Sequence, residues 1–202
     1  KVYLSETGRS KRTIENHLLT LRTLYNKAIR NGLVERSCYP FGGDNIRIQN
    51  INSMKIGLDK EEMQSLIDLK YAEGSPKWHT RNIFLVSFYF AGARISDVLR
   101  LKWSAIQKDR LIYQMGKNDK VVSLKIPEQA KEILEQYKKD MRFDDDYVFP
   151  DLKDADQDDK LATSIRIRTT TKLLNDQLAV LAKEAGITKK ISTHIARHTF
   201  GN

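Results

Sequence analysis

Arg94 stands at a position where a phosphate could be bound. It follows the apolar run Ile83–Phe90 and the small-residue break Ala91–Ala93, and apolar residues continue after it, so the chain is anchored on both sides. A guanidinium held in this way suits bidentate binding of a phosphate. The same stretch is also consistent with an arginine that pairs with Asp97 at the start of a helix, and taken alone it leaves both alternatives open.

A second arginine, Arg197, follows His194 near the end of the chain. Residues three apart on a helix share one face, and His194 is the only one of the four histidines at this spacing from an arginine. A surface or packing role is the commoner explanation of such a pair when it occurs alone. No His or Cys cluster has metal-ligand spacing and no glycine-rich nucleotide loop appears, so the sequence indicates no cofactor.

Positive charge is unevenly distributed. The 202 residues include 35 Lys and Arg against 26 Asp and Glu, a net charge of +9. Residues 1–55 hold ten basic and four acidic residues, and eight aspartates with one lysine fall within 144–159. Most of the chain is therefore basic, with the acid gathered in one segment. This distribution favours nucleic acid as the partner, with an affinity that falls as salt rises.

The clearest predicted helix spans residues 10–31. Apolar residues recur at helical spacing from Ile14 to Ile29, and Gly32 supplies a C-terminal stop. One such helix cannot bury its own apolar stripe, so we expect the natural domain to begin before residue 1. The other face either lies along a phosphate backbone, which the excess of charge favours, or is a solvated surface. Its cations are Lys11, Arg12, Arg22, Lys27 and Arg30.

The rest of the pattern predicts a mainly α fold with a small β-hairpin or sheet, an α+β class. Residues 38–57 lack periodicity and contain three glycines and a proline, which is typical of an interdomain linker. We therefore expect one domain over 1–50, a linker at 51–57 and a second domain over 58–202.

Further elements are predicted along the second domain. Asp59 and Glu62 form a capping box for a helix over 60–71, and two β-type runs, 110–115 and 121–126, flank a polar hairpin tip. The aspartate-rich segment is expected to be a loop. Other predicted helices are the buried apolar run, one from Arg94 to near Trp103, one opened by Pro127 and Glu128, one over 169–185 and one starting at 192.

A single cysteine, Cys38, excludes an internal disulfide and is consistent with a reducing compartment. No segment approaches the roughly 20 apolar residues of a membrane span, and no secretory leader is visible. We therefore expect a cytoplasmic protein.

Three segments together resemble the tyrosine recombinase, or phage integrase, family. Residues 91–103, with Arg94, resemble its first arginine box, and 116–127, with Lys117 at the hairpin tip, resemble its β-hairpin. Residues 194–200 read His-Ile-Ala-Arg-His-Thr-Phe and resemble its second box. The resemblance implies most of a recombinase catalytic core over 57–202. It also implies the latter half of a helical, SAM-like core-binding domain at the N-terminal end.

The resemblance further implies a site-specific recombinase that cuts and rejoins DNA through a 3′-phosphotyrosine intermediate. Arg94 and Arg197 would bind the scissile phosphate and stabilise its transition state. Lys117 would protonate the departing 5′ oxygen, with Lys120 as a nearby alternative, and His194 would assist proton transfer.

The remaining residues of the boxes would have supporting roles. Asp97 would buttress the first arginine, and His198 would be structural. No metal is implied, because the two guanidiniums and the lysine supply the positive charge. The implied partners are double-stranded DNA and further integrase subunits, which form a tetramer on DNA, in a prokaryotic or phage, nucleoid-associated setting.

The family's nucleophilic tyrosine follows the second box, and here all eight tyrosines precede His194. We therefore expect a fragment, monomeric in solution, that holds a scissile phosphate without forming the covalent link. A DNA-binding accessory or regulatory protein on the same scaffold is the alternative. A type IB topoisomerase shares the chemistry, but the layout of a linker and a small helical domain argues against it.

Overall fold

The structure is a computed structural model, and it describes residues 6–43, 45–49, 56–116, 119–156 and 158–201. The chain divides into two compact units, Lys1–Met54 and Lys55–Asn202, each with its own hydrophobic cluster. The architecture is mainly helical with one small antiparallel sheet, which confirms the predicted α+β class.

Helix α1, Lys11–Arg30, dominates the first unit and confirms the helix predicted over 10–31. The Ser10 hydroxyl accepts a hydrogen bond of 3.1 Å from the Thr13 N–H and caps the first turn. At the other end Gly32 adopts a φ of 69°, a left-handed value that favours glycine, and the helix stops there as predicted.

The apolar stripe of α1 is buried only in its first half. Ile14 and Leu18 form a buried cluster with Phe41, whereas Leu21 and Leu24 are 48% and 58% exposed. Phe41 comes from the aperiodic stretch 38–57 but lies within the domain expected over 1–50. Its ring completes a cluster that the helix could not form alone. Most of the segment 51–57 lies outside the described residues.

The second unit begins with helix α2, Lys60–Asp68. The Asp59 carboxylate accepts the Glu62 N–H, and the Glu62 carboxylate accepts the Asp59 N–H, each at 2.9 Å, which confirms the capping box. The helix ends three residues earlier than predicted. There the Arg81 guanidinium binds the Leu69 carbonyl, and Leu69 adopts an extended ψ of 129°.

Helix α3, Pro76–Tyr89, contains the predicted apolar run and passes through the centre of the core. Ile83, Phe84 and Val86 are at most 1% exposed. Among the described residues, no helix combines the length and the apolar character needed to cross a lipid bilayer.

Helix α4, Ile95–Leu99, is much shorter than the helix predicted from Arg94 to near Trp103. The helix ends because the backbone groups of the next residues form hydrogen bonds with residues 146–148 instead of with the preceding helical turn. The Leu101 carbonyl accepts the Val148 N–H at 2.8 Å, and the Trp103 N–H donates to the Asp146 carbonyl at 3.0 Å. A 3-10 turn, Trp103–Ala105, follows.

Three strands form an antiparallel sheet in the order β1-β2-β3. They are β1 (Ile106–Gln107), β2 (Arg110–Gln114) and β3 (Val121–Lys125). The pairing of β2 with β3 confirms the predicted hairpin. Strand β1 was not predicted, because a strand of two residues is too short to show alternation of apolar and polar side chains.

Helices α5 (Glu128–Lys138), α6 (Lys160–Glu184) and α7 (Ile195–Phe200) complete the described second unit. Helix α6 begins nine residues before the predicted start at 169. Asp159 caps it by accepting the Ala162 N–H at 2.8 Å. Periodicity did not reveal the early turns, because their apolar residues are largely exposed.

The aspartate-rich segment 144–159 has partners both outside and inside itself. Asp145 accepts a hydrogen bond of 2.6 Å from Lys102, and the buried Asp146 forms an ion pair of 3.1 Å with Lys153. Part of the segment's negative charge is therefore compensated by lysines, and the bond to Lys102 attaches the segment to the residues that follow α4.

Candidate active site

The turn between α3 and α4 sets the position of Arg94. Ala91 and Gly92 both have left-handed φ angles, of 56° and 68°, which reverse the chain at the end of α3. The Ser87 hydroxyl donates a hydrogen bond of 2.7 Å to the Ala93 carbonyl inside the core, so the turn is fixed to the buried helix. Arg94 then stands at the N-cap of α4.

The Arg94 side chain is 27% exposed and lies between two groups. Its Nη1 atom is 3.9 Å from Asp97 Oδ2 and 3.8 Å from Met115 Sδ. An ion pair at 3.9 Å is too long for a hydrogen bond, so Asp97 balances the charge of the guanidinium without using its donors. The two alternatives left open by the sequence, an ion pair with Asp97 and a phosphate ligand, are therefore compatible.

Asp97 also connects the first box to the β-hairpin. It is 5% exposed, and its Oδ1 atom lies 3.3 Å from the Gly116 N–H. Its Oδ2 atom has no hydrogen-bond partner among the described residues. Lys117 follows Gly116 directly and lies outside the described residues. The alternative, Lys120, is exposed, and its carbonyl accepts the Met115 N–H at 2.9 Å.

The second box, on α7, is in direct contact with the turn of the first. Arg197 Nη1 donates a hydrogen bond of 3.1 Å to the Gly92 carbonyl, and the residue is exposed. Helix α6 supports the same segment, because Asn175 Oδ1 accepts the Thr193 N–H at 2.8 Å just before α7. Segments far apart in sequence thus meet at one place on the second unit.

His194, at the N-cap of α7, is exposed and packs against His198. The two ring centroids are 4.6 Å apart and the planes are 87° from parallel, an edge-to-face contact. The contact with His198, four residues further along, thereby restricts the orientation of the His194 imidazole.

Tyr113, on β2, belongs to this site but was not among the predicted residues. Burial raises its pKa, and the Asp97 carboxylate adds to the increase, whereas the positive charges of Arg197 and Arg94 oppose it. Tyr113 also lines the same surface cavity as Asp97 and Gly116. A signal was available in the sequence. Tyr113 and Met115 are two residues apart in the run that leads to the hairpin tip, so their side chains are expected on the same face.

The five cations predicted to contact DNA are all exposed on α1 of the first unit. Arg12 forms an ion pair of 2.8 Å with Glu15, which partly neutralises it. No ion pair to Arg22, Lys27 or Arg30 occurs within the described residues.

These segments coincide with regions of a known family. Residues 57–202 match the phage integrase family, and residues 1–48 match the phage integrase SAM-like domain. The chain belongs to the phage integrase family, the tyrosine recombinases. No curated protein matches it significantly.

Solved structures of recombinases share the fold. A crystal structure of XerA recombinase matches with a TM-score of 0.51 and 24% identity, covering 74% of this chain and 50% of that chain. XerH site-specific recombinase bound to its difH substrate, a pre-cleavage complex, matches with a TM-score of 0.63 and 18% identity, covering 98% and 55%. The chain thus spans about half the length of these two proteins.

Proposed function

We propose that this chain contains the phosphate-binding centre of a site-specific DNA recombinase, or integrase, that acts through a 3′-phosphotyrosine. The observation that carries the proposal is the meeting of both arginine boxes with the hairpin. Arg197 donates to the Gly92 carbonyl, Asp97 accepts the Gly116 N–H, and Tyr113 lines the same cavity as Asp97 and Gly116. Membership of the tyrosine recombinase family supports this chemistry.

In this proposal Arg94 and Arg197 bind the non-bridging oxygens of the scissile phosphate. A tyrosine oxygen attacks phosphorus, the bond to the 5′ oxygen breaks, and the guanidiniums stabilise the extra negative charge of the transition state. From the family resemblance we expect the attacking tyrosine after the second box, and the eight tyrosines of this sequence all precede His194. Tyr113 is poorly suited to the task, because burial raises its pKa and makes its phenolate harder to form.

His194 assists proton transfer at the same phosphate, held by its contact with His198. Lys117 donates the proton that the departing 5′ oxygen takes up. A substrate with a 5′-thio leaving group needs no such donor, so it should restore cleavage by Lys117→Ala. Restoration in Lys120→Ala instead would transfer the role to Lys120.

The DNA partner is proposed from charge and from the fold. The XerH structure is described as bound to its difH substrate, and the cations of α1 offer this chain a surface for the phosphate backbone. We propose that the whole protein works as a tetramer on DNA and that this 202-residue chain is monomeric in solution.

The decisive test separates cleavage from binding in the full-length native protein. Arg94→Ala and Arg197→Ala should each lower the rate of single-turnover DNA cleavage by about 10²–10³-fold, the usual cost of one transition-state donor, while non-specific DNA affinity changes little. Arg142→Ala is the matched control, because Arg142 binds Asp154 on the aspartate-rich segment. Cleavage within about tenfold of wild type in either box variant would refute the phosphate-clamp assignment.

A non-catalytic DNA-binding accessory protein on the same scaffold is the second candidate, because the exposed cations of α1 could bind a phosphate backbone without any nucleophile. The residues that follow Asn202 in the gene discriminate between the two. A tyrosine in a downstream helix supports the recombinase, and its absence supports the accessory protein.

A further inference from the structure

Gly92 combines a left-handed backbone with an unusually close neighbour. Its φ is 68°, and a Cβ atom built on it would lie 2.7 Å from Arg197 Cα. The same Cβ would lie 3.2 Å from both Cβ and Cγ of Arg197. Because the nearest atom belongs to a backbone, rotation of a side chain could not relieve the clash. Only a residue without a side chain lets α7 approach the turn this closely.

The contact also involves a directed hydrogen bond. The Gly92 carbonyl accepts the hydrogen bond of 3.1 Å from Arg197 Nη1, so one glycine touches the arginine at both ends. It limits the position of the Arg197 backbone and the direction of the Arg197 guanidinium. Arg94 lies two residues further along the same turn.

We propose that Gly92 is a positioning residue that sets the distance and relative orientation of the two arginines. The inference rests on the proposed function, in which both guanidiniums bind one phosphate. The turn is fixed to α3 by the Ser87 hydrogen bond to Ala93, so it provides a rigid reference for both groups. Reacting groups displaced by about 1 Å can lose 10²-fold in rate, so an added methyl group at this contact is consequential.

A second glycine offers a matched control. Gly186, after α6, has a φ of 71°, and a Cβ built on it meets no atom within 4 Å. Gly186→Ala therefore introduces the same backbone strain as Gly92→Ala without the contact. The difference between the two variants isolates the effect of pushing Arg197 away.

The first measurement is single-turnover DNA cleavage by the full-length native protein. Gly92→Ala should cleave at least about tenfold more slowly than Gly186→Ala at saturating DNA, with similar DNA affinity for both. In an Arg197→Lys background, which already lacks the guanidinium, Gly92→Ala should add less than about twofold. Equal rates for the two glycine variants, or a fully multiplicative loss in the Arg197→Lys background, would overturn the proposal.

The second measurement needs no catalysis. In the 202-residue chain, the NMR signal of the Arg197 Nε–H group should shift in Gly92→Ala and remain in place in Gly186→Ala. If Gly92→Ala fails to fold, Gly92→Asn and Gly186→Asn replace the pair, since asparagine tolerates positive φ. Unfolding of both Gly92 variants beside folded Gly186 variants would assign Gly92 a purely structural role and reject the proposal. Normal cleavage by Arg197→Ala would instead reject the proposed function itself.

Discussion

The two units of the chain differ in the size of their hydrophobic clusters. They differ also in whether their functional cations are exposed or have specific partners. The first has a buried cluster of Ile14, Leu18 and Phe41 beside a helix whose cations are all exposed. The second has an extensive core around α3. Its two arginines from the boxes each have a specific partner, Asp97 for Arg94 and the Gly92 carbonyl for Arg197. A surface of exposed cations suits affinity for a polyanion, whereas chemistry on one phosphate requires guanidiniums held in place.

The largest expected effect tests the difference in core size. Phe84 is 1% exposed, and Phe84→Ala should lower the free energy of unfolding of the second unit by about 3–5 kcal/mol. Phe41→Ala should cost the first unit less than about 2 kcal/mol, because the small cluster can collapse around the gap. Both tryptophans, Trp78 and Trp103, lie in the second unit, so their fluorescence in urea reports that unit, and hydrogen exchange of the α1 amides reports the first. Equal losses would contradict the comparison.

A smaller effect tests the link between the first box and the hairpin. Asp97→Ala leaves the Gly116 N–H without its acceptor, so it should destabilise the second unit by about 1–3 kcal/mol. Asp97→Asn retains an oxygen at the same place and should recover most of that loss. Urea unfolding measures both, and an asparagine variant as unstable as the alanine variant would assign the effect to lost charge instead.

Acid should weaken the second unit selectively through Asp146. Burial opposes ionisation of this carboxylate, but hydrogen bonds from two backbone N–H groups and the Lys153 ammonium prevail and lower its pKa. Because the folded pKa is below the unfolded value, the stabilisation is present above about pH 4 and is lost as the pH falls through the folded pKa. Asp146→Asn should flatten this pH dependence of thermal unfolding. Asp144→Asn, an exposed neighbour, should preserve it.

The smallest effect concerns the cations of α1. Arg22→Gln should weaken DNA binding by a few-fold and reduce the slope of log affinity against log salt by about 0.9 for a lost phosphate contact. Arg12→Gln should do less, because Glu15 already pairs with Arg12. Lys138→Gln, which removes a cation paired with Glu135 on the second unit, is the control. A salt slope unchanged in Arg22→Gln would place the DNA surface elsewhere.

Local sequence patterns predicted the elements that depend only on residues close together in the chain. The helix over 10–31, the capping box at Asp59 and the hairpin each depend on neighbouring residues, and the structure reproduces them. The features that the sequence did not reveal share a cause. Helix α4 stops early and Phe41 joins a core because each meets a partner distant in sequence, which no short window of residues contains.

The sequence by itself determined the helical class, the excess of positive charge and the two arginine boxes, because residue type and spacing carry that information. Only the tertiary structure decided that Arg197 rests on Gly92, that Asp97 binds the hairpin and that Tyr113 shares a cavity with Asp97. These residues belong to segments far apart in the chain, and packing of the core around α3 is what brings them together.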